Sequence, residues 1–203
     1  MLEKIMYRWF IAMTVFAVVV VALQLIPFGR DYVAEREQRT AGVVATGGVA
    51  DDEEEPAIPA SLSIEHRELH ATLEGLAKLQ GTTGVAAFRV VELIHDHFKS
   101  EEAFAMPPLA LLRPLAEGVR VAGSAQATIA MSDRLRADWP ILIQEHKVIR
   151  EALAVLAVEA RAENRPEVLP FVEKLKLHAQ QEEEILYPAA ILVGEYVKLK
   201  GPA

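Results

Sequence analysis

The sequence predicts an all-α fold: an up-down four-helix bundle preceded by a single transmembrane helix. Three observations carry this. One uncharged, apolar run of twenty residues, 9–28, stands near the N-terminus. Downstream, apolar residues recur at intervals of three and four, as at Leu62, Leu69, Leu73 and Leu76, and no run alternates with period two over a useful length. A pattern of His and Glu residues then occurs twice, each time across a helix–turn–helix.

The N-terminal run includes Val18, Val19, Val20 and Val21 in a row. At about 1.5 Å per residue, twenty helical residues span the roughly 30 Å of a hydrocarbon core. A signal-peptide core is shorter and ends at small residues beside a cleavage site. Here the run ends in Leu25-Ile26-Pro27-Phe28-Gly29-Arg30, so residues 1–30 are expected to be an uncleaved anchor in the lipid bilayer. Tyr7 and Trp9 suit the interface. Lys and Arg residues flank both ends and do not decide the topology. The segment around Pro27 resembles the end of anchors that precede small periplasmic haem-binding domains in bacteria. That resemblance implies a single-pass protein of the bacterial inner membrane with its globular domain in the periplasm.

Residues 31–60 contain Gly42, Gly47, Gly48, an acidic run at 51–55, Pro56 and Pro59, and read as a flexible linker. The globular domain is expected over 61–203. Its helices are expected at about 62–80, 85–106, 140–163 and from Pro166 or Pro170 toward Lys198, with Pro140 in a first turn and Pro188 kinking or dividing the last. The connection 109–139 carries apolar residues of its own and is expected to hold one or two helical segments.

The 203-residue chain has no cysteine, which excludes disulfides, thiolate metal sites and cysteine nucleophiles. A formal net charge of −8 argues against nucleic acid as a partner. What remains is a His/carboxylate chemistry. Glu65-His66 on the first helix pairs with Glu145-His146 on the third. His97 with Glu101 and Glu102 on the second pairs with His178, Glu182 and Glu183 on the fourth. His66 to His97 is 31 residues and His146 to His178 is 32, and a proline follows ten residues after His97 and after His178. Phe104 and Ile185 correspond as well, seven residues after each His.

Residues i and i+4 share a helix face, so each His-x-x-x-Glu can reach one metal centre and its Glu can bridge to a second. All four His lie on or beside apolar stripes, among them Leu142, Ile149, Leu153 and Leu156 around His146, and Phe171, Ile185 and Ala189 around His178. A buried, ionised Glu is costly unless a cation compensates it. The nitrogen/oxygen donor set suits iron, manganese or zinc.

The order H…HxxxE…H…HxxxE resembles the hemerythrin-like cation-binding (HHE) domain family over about residues 60–200. That resemblance implies a bundle around two bridged non-haem iron ions, with Mn or Zn as substitutes. His66, His97, Glu101, His146, His178 and Glu182 would be the ligands and the two Glu the bridges. His70, one turn after His66, is a seventh candidate. Oxygen-carrying hemerythrins have a second His on the third helix, where this chain has Arg150. His70 either takes over that role from the first helix or sits at the bundle edge. Glu182 also stands where those proteins have an Asp one residue later. His95 is expected to face solvent, Trp139 to pack, and Glu102, Glu183 and Glu184 to be solvated or to support ligands. The expected function is binding of O2 or a related small molecule such as NO or peroxide, for carriage, sensing or delivery, beside or within a membrane protein complex. A peroxidase- or oxidase-like enzyme and an accessory subunit with a stabilising or vestigial metal site are the alternatives.

Overall fold

The computed structural model describes residues 56–201, all within the second of the two units into which the chain divides, Asp51–Ala203. The expected anchor and most of the expected linker lie outside the described residues. Among the described residues the fold is an all-helical bundle without strands, and no helix is long and apolar enough to cross a membrane.

Helix α1 is Ala60–Ala77 and α2 is Thr82–Ser100. A π-helical turn, Glu101–Ala105, extends α2, and a 3-10 turn, Pro107–Leu111, leads into the short α3, Leu112–Ala116. Helix α4 is Ala125–Ala162 and α5 is Leu169–Gln181. A second π-helical turn, Glu182–Leu186, joins α5 to α6, Tyr187–Lys200.

Both π turns have the same cause. Pro107 and Pro188 have no N–H to give the preceding helix, so the bonding slips by one residue. The N–H of Met106 reaches back five residues to the Glu101 carbonyl, at 2.8 Å, and that of Tyr187 reaches the Glu182 carbonyl. Each widened turn begins on one of the two Glu of the repeat.

Two expectations are corrected. The third long helix does not start at Pro140: α4 begins fifteen residues earlier, at Ala125, and Pro140 lies inside it. The helix survives the missing bond because its N-terminal part is packed. Leu135 is buried with Leu109, Met106 and Ala190, and Ser132 Oγ donates to the Ala190 carbonyl at 2.8 Å. Gly194 allows this crossing, since a Cβ there would stand 2.3 Å from the Ser132 Cβ. The 109–139 connection is thus a cover over α6. Ile185 is the second correction. It is 59% exposed, whereas Phe104, its counterpart, is 3% exposed. Arg134, from the N-terminal part of α4, lies over the Phe104 ring at 4.2 Å, and Ile185 ends in a π turn that this part of α4 does not cover.

The apolar core falls into separate clusters. One gathers Leu69 and Leu73, Val90 and Ile94, Leu153 and Leu156, and Val172 and Leu175. Another gathers Phe104, Met106, Leu109, Leu135, Leu142, Tyr187 and Ala190. In sequence, the first cluster, apart from Phe98, follows His66 and His146 but precedes His97 and His178, and the second does the reverse. The chain therefore passes four times through one His/Glu layer with apolar packing on either side.

The far end of the bundle is tied by one carboxylate. Helix α4 closes on Asn164, whose φ of 56° suits Asn, and the N–H of Arg165 bonds the Ala160 carbonyl at 2.7 Å. Glu163 then caps α2. It accepts from the Thr82 and Thr83 amides at 2.7 and 3.2 Å and from the Thr83 hydroxyl at 2.6 Å. Gly81, at φ 90°, leaves room for it, because a Cβ there would lie 2.1 Å from Glu163 Oε1. The Thr83 hydroxyl, working against partial burial and with the two amides, holds the carboxyl down at about 2 instead of 4.5. A carboxylate depressed in the folded state stabilises above its unfolded pKa and loses that effect as pH falls through the folded one. Glu163→Ala is expected to cost about 1–2 kcal/mol at neutral pH, as loss of a helix cap does. The gap between wild type and variant should narrow as pH falls from 4.5 through 2 and close only below the folded value, as read by urea unfolding at a series of pH values. A gap undiminished at pH 2 would refute the capping role.

Candidate metal centre

The repeat places four imidazoles in the layer, from α1, α2, α4 and α5, each no more than 3% exposed, with Glu101 and Glu182 at 0% between them. His97, Glu101, His146 and Glu182 form one group of converging ligand atoms, and His66, His178 and Glu182 form another. Glu182 faces both: its Oε1 lies 2.9 Å from His178 Nε2 and 3.4 Å from His66 Nε2, and its Oε2 lies 3.2 Å from His146 Nε2. Glu101 is disposed likewise, with Oε1 3.3 Å from His97 Nε2 and Oε2 3.8 Å from His66 Nε2. Each carboxylate offers one oxygen to each histidine pair.

All four Nε2 atoms point inward because all four Nδ1 atoms are held from outside. His66 Nδ1 meets Glu102 at 3.1 Å, His97 Nδ1 meets Glu145 at 2.8 Å, His146 Nδ1 meets Glu183 at 2.9 Å, and His178 Nδ1 faces Glu65 at 3.5 Å. Glu102 and Glu183, left open between solvent and ligand support, hold imidazoles, and Glu65 and Glu145, which sequence reasoning gave no such role, do the same. The signal was there: the Glu before His66 and before His146 serves the α2 or α5 histidine, and the Glu after each inner Glu serves α1 or α4. Arg150 completes one of these relays, donating to Glu183 at 2.7 Å.

The arrangement fits a metal on its own chemistry. A carboxylate at Nδ1 calls for N–H there and leaves Nε2 as a bare lone pair. His97 Nε2 and His146 Nε2 are only 2.7 Å apart. Two lone pairs at that distance repel unless a cation sits with them. Without metal the cation is a proton: burial pulls the His97 imidazolium down, but Glu101 and Glu145 outweigh it and lift the group to about 10. His178 is raised on balance too, burial opposing and Glu182 prevailing. Burial opposes ionisation of Glu182, yet its three histidine neighbours hold it well below the usual carboxylate range. Finally, Glu101 Oε2, Glu182 Oε2 and His178 Nε2 are buried without a hydrogen-bond partner among the described residues. These are the atoms a bound cation would satisfy.

Aromatic rings close the centre. Phe98 stacks on His66 at 4.0 Å and 8° between planes. Tyr187, fully buried, stacks on His146 at 5.9 Å and 9°, and its hydroxyl donates to Glu101 Oε1. Burial and the Glu101 charge push the phenol well above its ordinary pKa, so it stays a donor. Trp139 packs edge-on against Tyr187 at 6.4 Å.

His70 stands apart from both ligand groups. Its side chain is 28% exposed, its Nδ1 faces Glu74 at 3.4 Å, and its ring lies 5.8 Å from that of the exposed His95. Glu184 is exposed and accepts from Gln180 at 2.7 Å.

Fold and site together define the class: an all-helical bundle with a buried His/Glu group that could hold a metal ion. No protein-family model, curated protein or solved structure matches the chain.

Proposed function

We propose that the chain is a hemerythrin-like protein, an up-down four-helix bundle holding two non-haem iron ions, that binds O2 or a related small molecule. Residues 9–28 anchor it in a bacterial inner membrane with the domain on the periplasmic side, where it delivers to, or belongs to, an oxygen-consuming complex. One observation carries the reading: Glu101 and Glu182 each offer one oxygen to each of two histidine pairs. That disposition suits two ions bridged by two carboxylates.

In this reading His66 and His178 hold one ion and His97 and His146 the other. Iron so held would supply open coordination positions and redox change at a cysteine-free site. The protein's part is orientation and exclusion. Outer carboxylates fix each imidazole, Phe98 and Tyr187 keep bulk water from the rings, and the Tyr187 O–H keeps a proton on Glu101 Oε1's side of the centre.

The test is metal analysis of chain expressed with iron, followed by optical spectra with and without O2. Two irons per chain and an O2-dependent charge-transfer band are expected; absence of iron would overturn the reading.

The position of His70 outside both ligand groups favours a second reading. Six protein ligands leave more open positions than seven, which suits a peroxidase- or oxidase-like enzyme. His70→Ala separates the two. Unchanged iron content and O2 response would exclude His70 as a needed ligand and favour the enzyme, whereas loss of O2 binding would favour carriage.

A further inference from the structure

We propose that Tyr187 makes the two halves of the centre unequal, its phenol fixing Glu101 on the His97/His146 half while the His66/His178 half has no such donor among the described residues. The inference rests on the two-metal reading above and goes on to how the ions are held.

The internal repeat is broken at this point. Tyr187 follows His178 by nine residues, and Met106 follows His97 by nine. Both directly follow a π turn and both are 0% exposed. They are the same position of the repeat, but a thioether cannot donate a hydrogen bond and a phenol can. A second break reinforces the first. Phe98, which stacks on His66, has Ala179 as its counterpart one residue after His178. One half is walled by a phenyl ring, the other by a phenol.

The consequence falls on Glu101. Its Oε1, on the His97/His146 half, accepts from Tyr187, whose hydroxyl is also 3.5 Å from His146 Nε2. Its Oε2, 3.8 Å from His66 Nε2, is buried without a hydrogen-bond partner among the described residues. A carboxylate held by an outer donor is oriented before metal arrives, and loss of such a partner typically lowers metal affinity about 10–100-fold. The His97/His146 half, which also gathers four residues where the other gathers three, is therefore the tighter and the first to fill. Tyr187 acts here as a positioning residue.

Tyr187→Phe keeps the ring and its stacking and removes only the hydroxyl. Met106→Leu, at the matching position, is the control. The metal-free full chain of each is titrated with Co(II), followed by its d–d spectrum and by calorimetry, with far-UV circular dichroism to verify folding. Wild type and Met106→Leu should take up two ions in two resolved steps. In Tyr187→Phe the first step should weaken about 10–100-fold and merge toward the second. Two equal steps in the wild type, or a Tyr187→Phe variant that keeps the wild-type separation or loses both steps equally, would overturn the proposal alone. Fewer than two ions bound by the folded wild type would overturn the two-metal reading with it. A merely structural role for Tyr187 would lower thermal stability without changing the ratio of the two affinities.

Discussion

Replacing Glu182 by alanine is expected to abolish metal binding at both positions, while His97→Ala removes only one ion. The asymmetry follows from the geometry. Glu182 belongs to both ligand groups, and His97 belongs to one. Loss of an outer partner of a ligand already costs about 10–100-fold in affinity, so loss of a carboxylate that contacts both ions should exceed that at each. Glu182→Gln tests charge apart from shape, because the amide fills the same space but cannot neutralise a cation. Metal analysis after equilibrium dialysis reads the outcome. Retention of two ions by either Glu182 variant would mean that the two groups are independent sites, contrary to a shared carboxylate.

The next largest effect is expected in the core below the centre. Leu153 is 0% exposed and packs with Leu69, Leu73, Ile94, Leu156 and Leu175. Truncating such a leucine removes its transfer free energy and leaves a cavity that neighbours on three other helices cannot fill, so Leu153→Ala should cost about 2–5 kcal/mol. For a domain of this size that lowers the melting temperature by roughly 10 °C. The metal-free chain is the one to melt, because bound metal would add its own stabilisation. Below the melting temperature the variant should still take up as much metal as the wild type, since Leu153 is a member of neither ligand group. A loss under about 1 kcal/mol would contradict the tight packing on which that range depends.

These expectations divide between what local pattern encodes and what packing decides. The all-helical class was legible because amphipathic period is a property of neighbours in sequence: Leu62, Leu69, Leu73 and Leu76 mark one face before any partner is known. The convergence of His97, Glu101, His146 and Glu182 was legible for a related reason, since an i, i+4 spacing puts two ligands on one face and a repeat puts the second pair opposite the first. Where the third helix starts was not legible. Pro140 looks like a start signal locally, and only the burial of Leu135 and the contact of Ser132 with Ala190 keep the helix continuous through it. Ile185 shows the converse, since its apolar side chain marks a stripe position but is left 59% exposed.

The helices, the repeat and the six residues that meet in one buried layer were readable along the chain, because each rests on regular spacings between neighbouring turns. Helix packing assigned each carboxylate to its imidazole, set His70 beside His95, and brought Tyr187 onto Glu101. Those pairs lie tens of residues apart or on different helices, and a hydrogen bond between them depends on how helices cross, which no periodicity along the chain records.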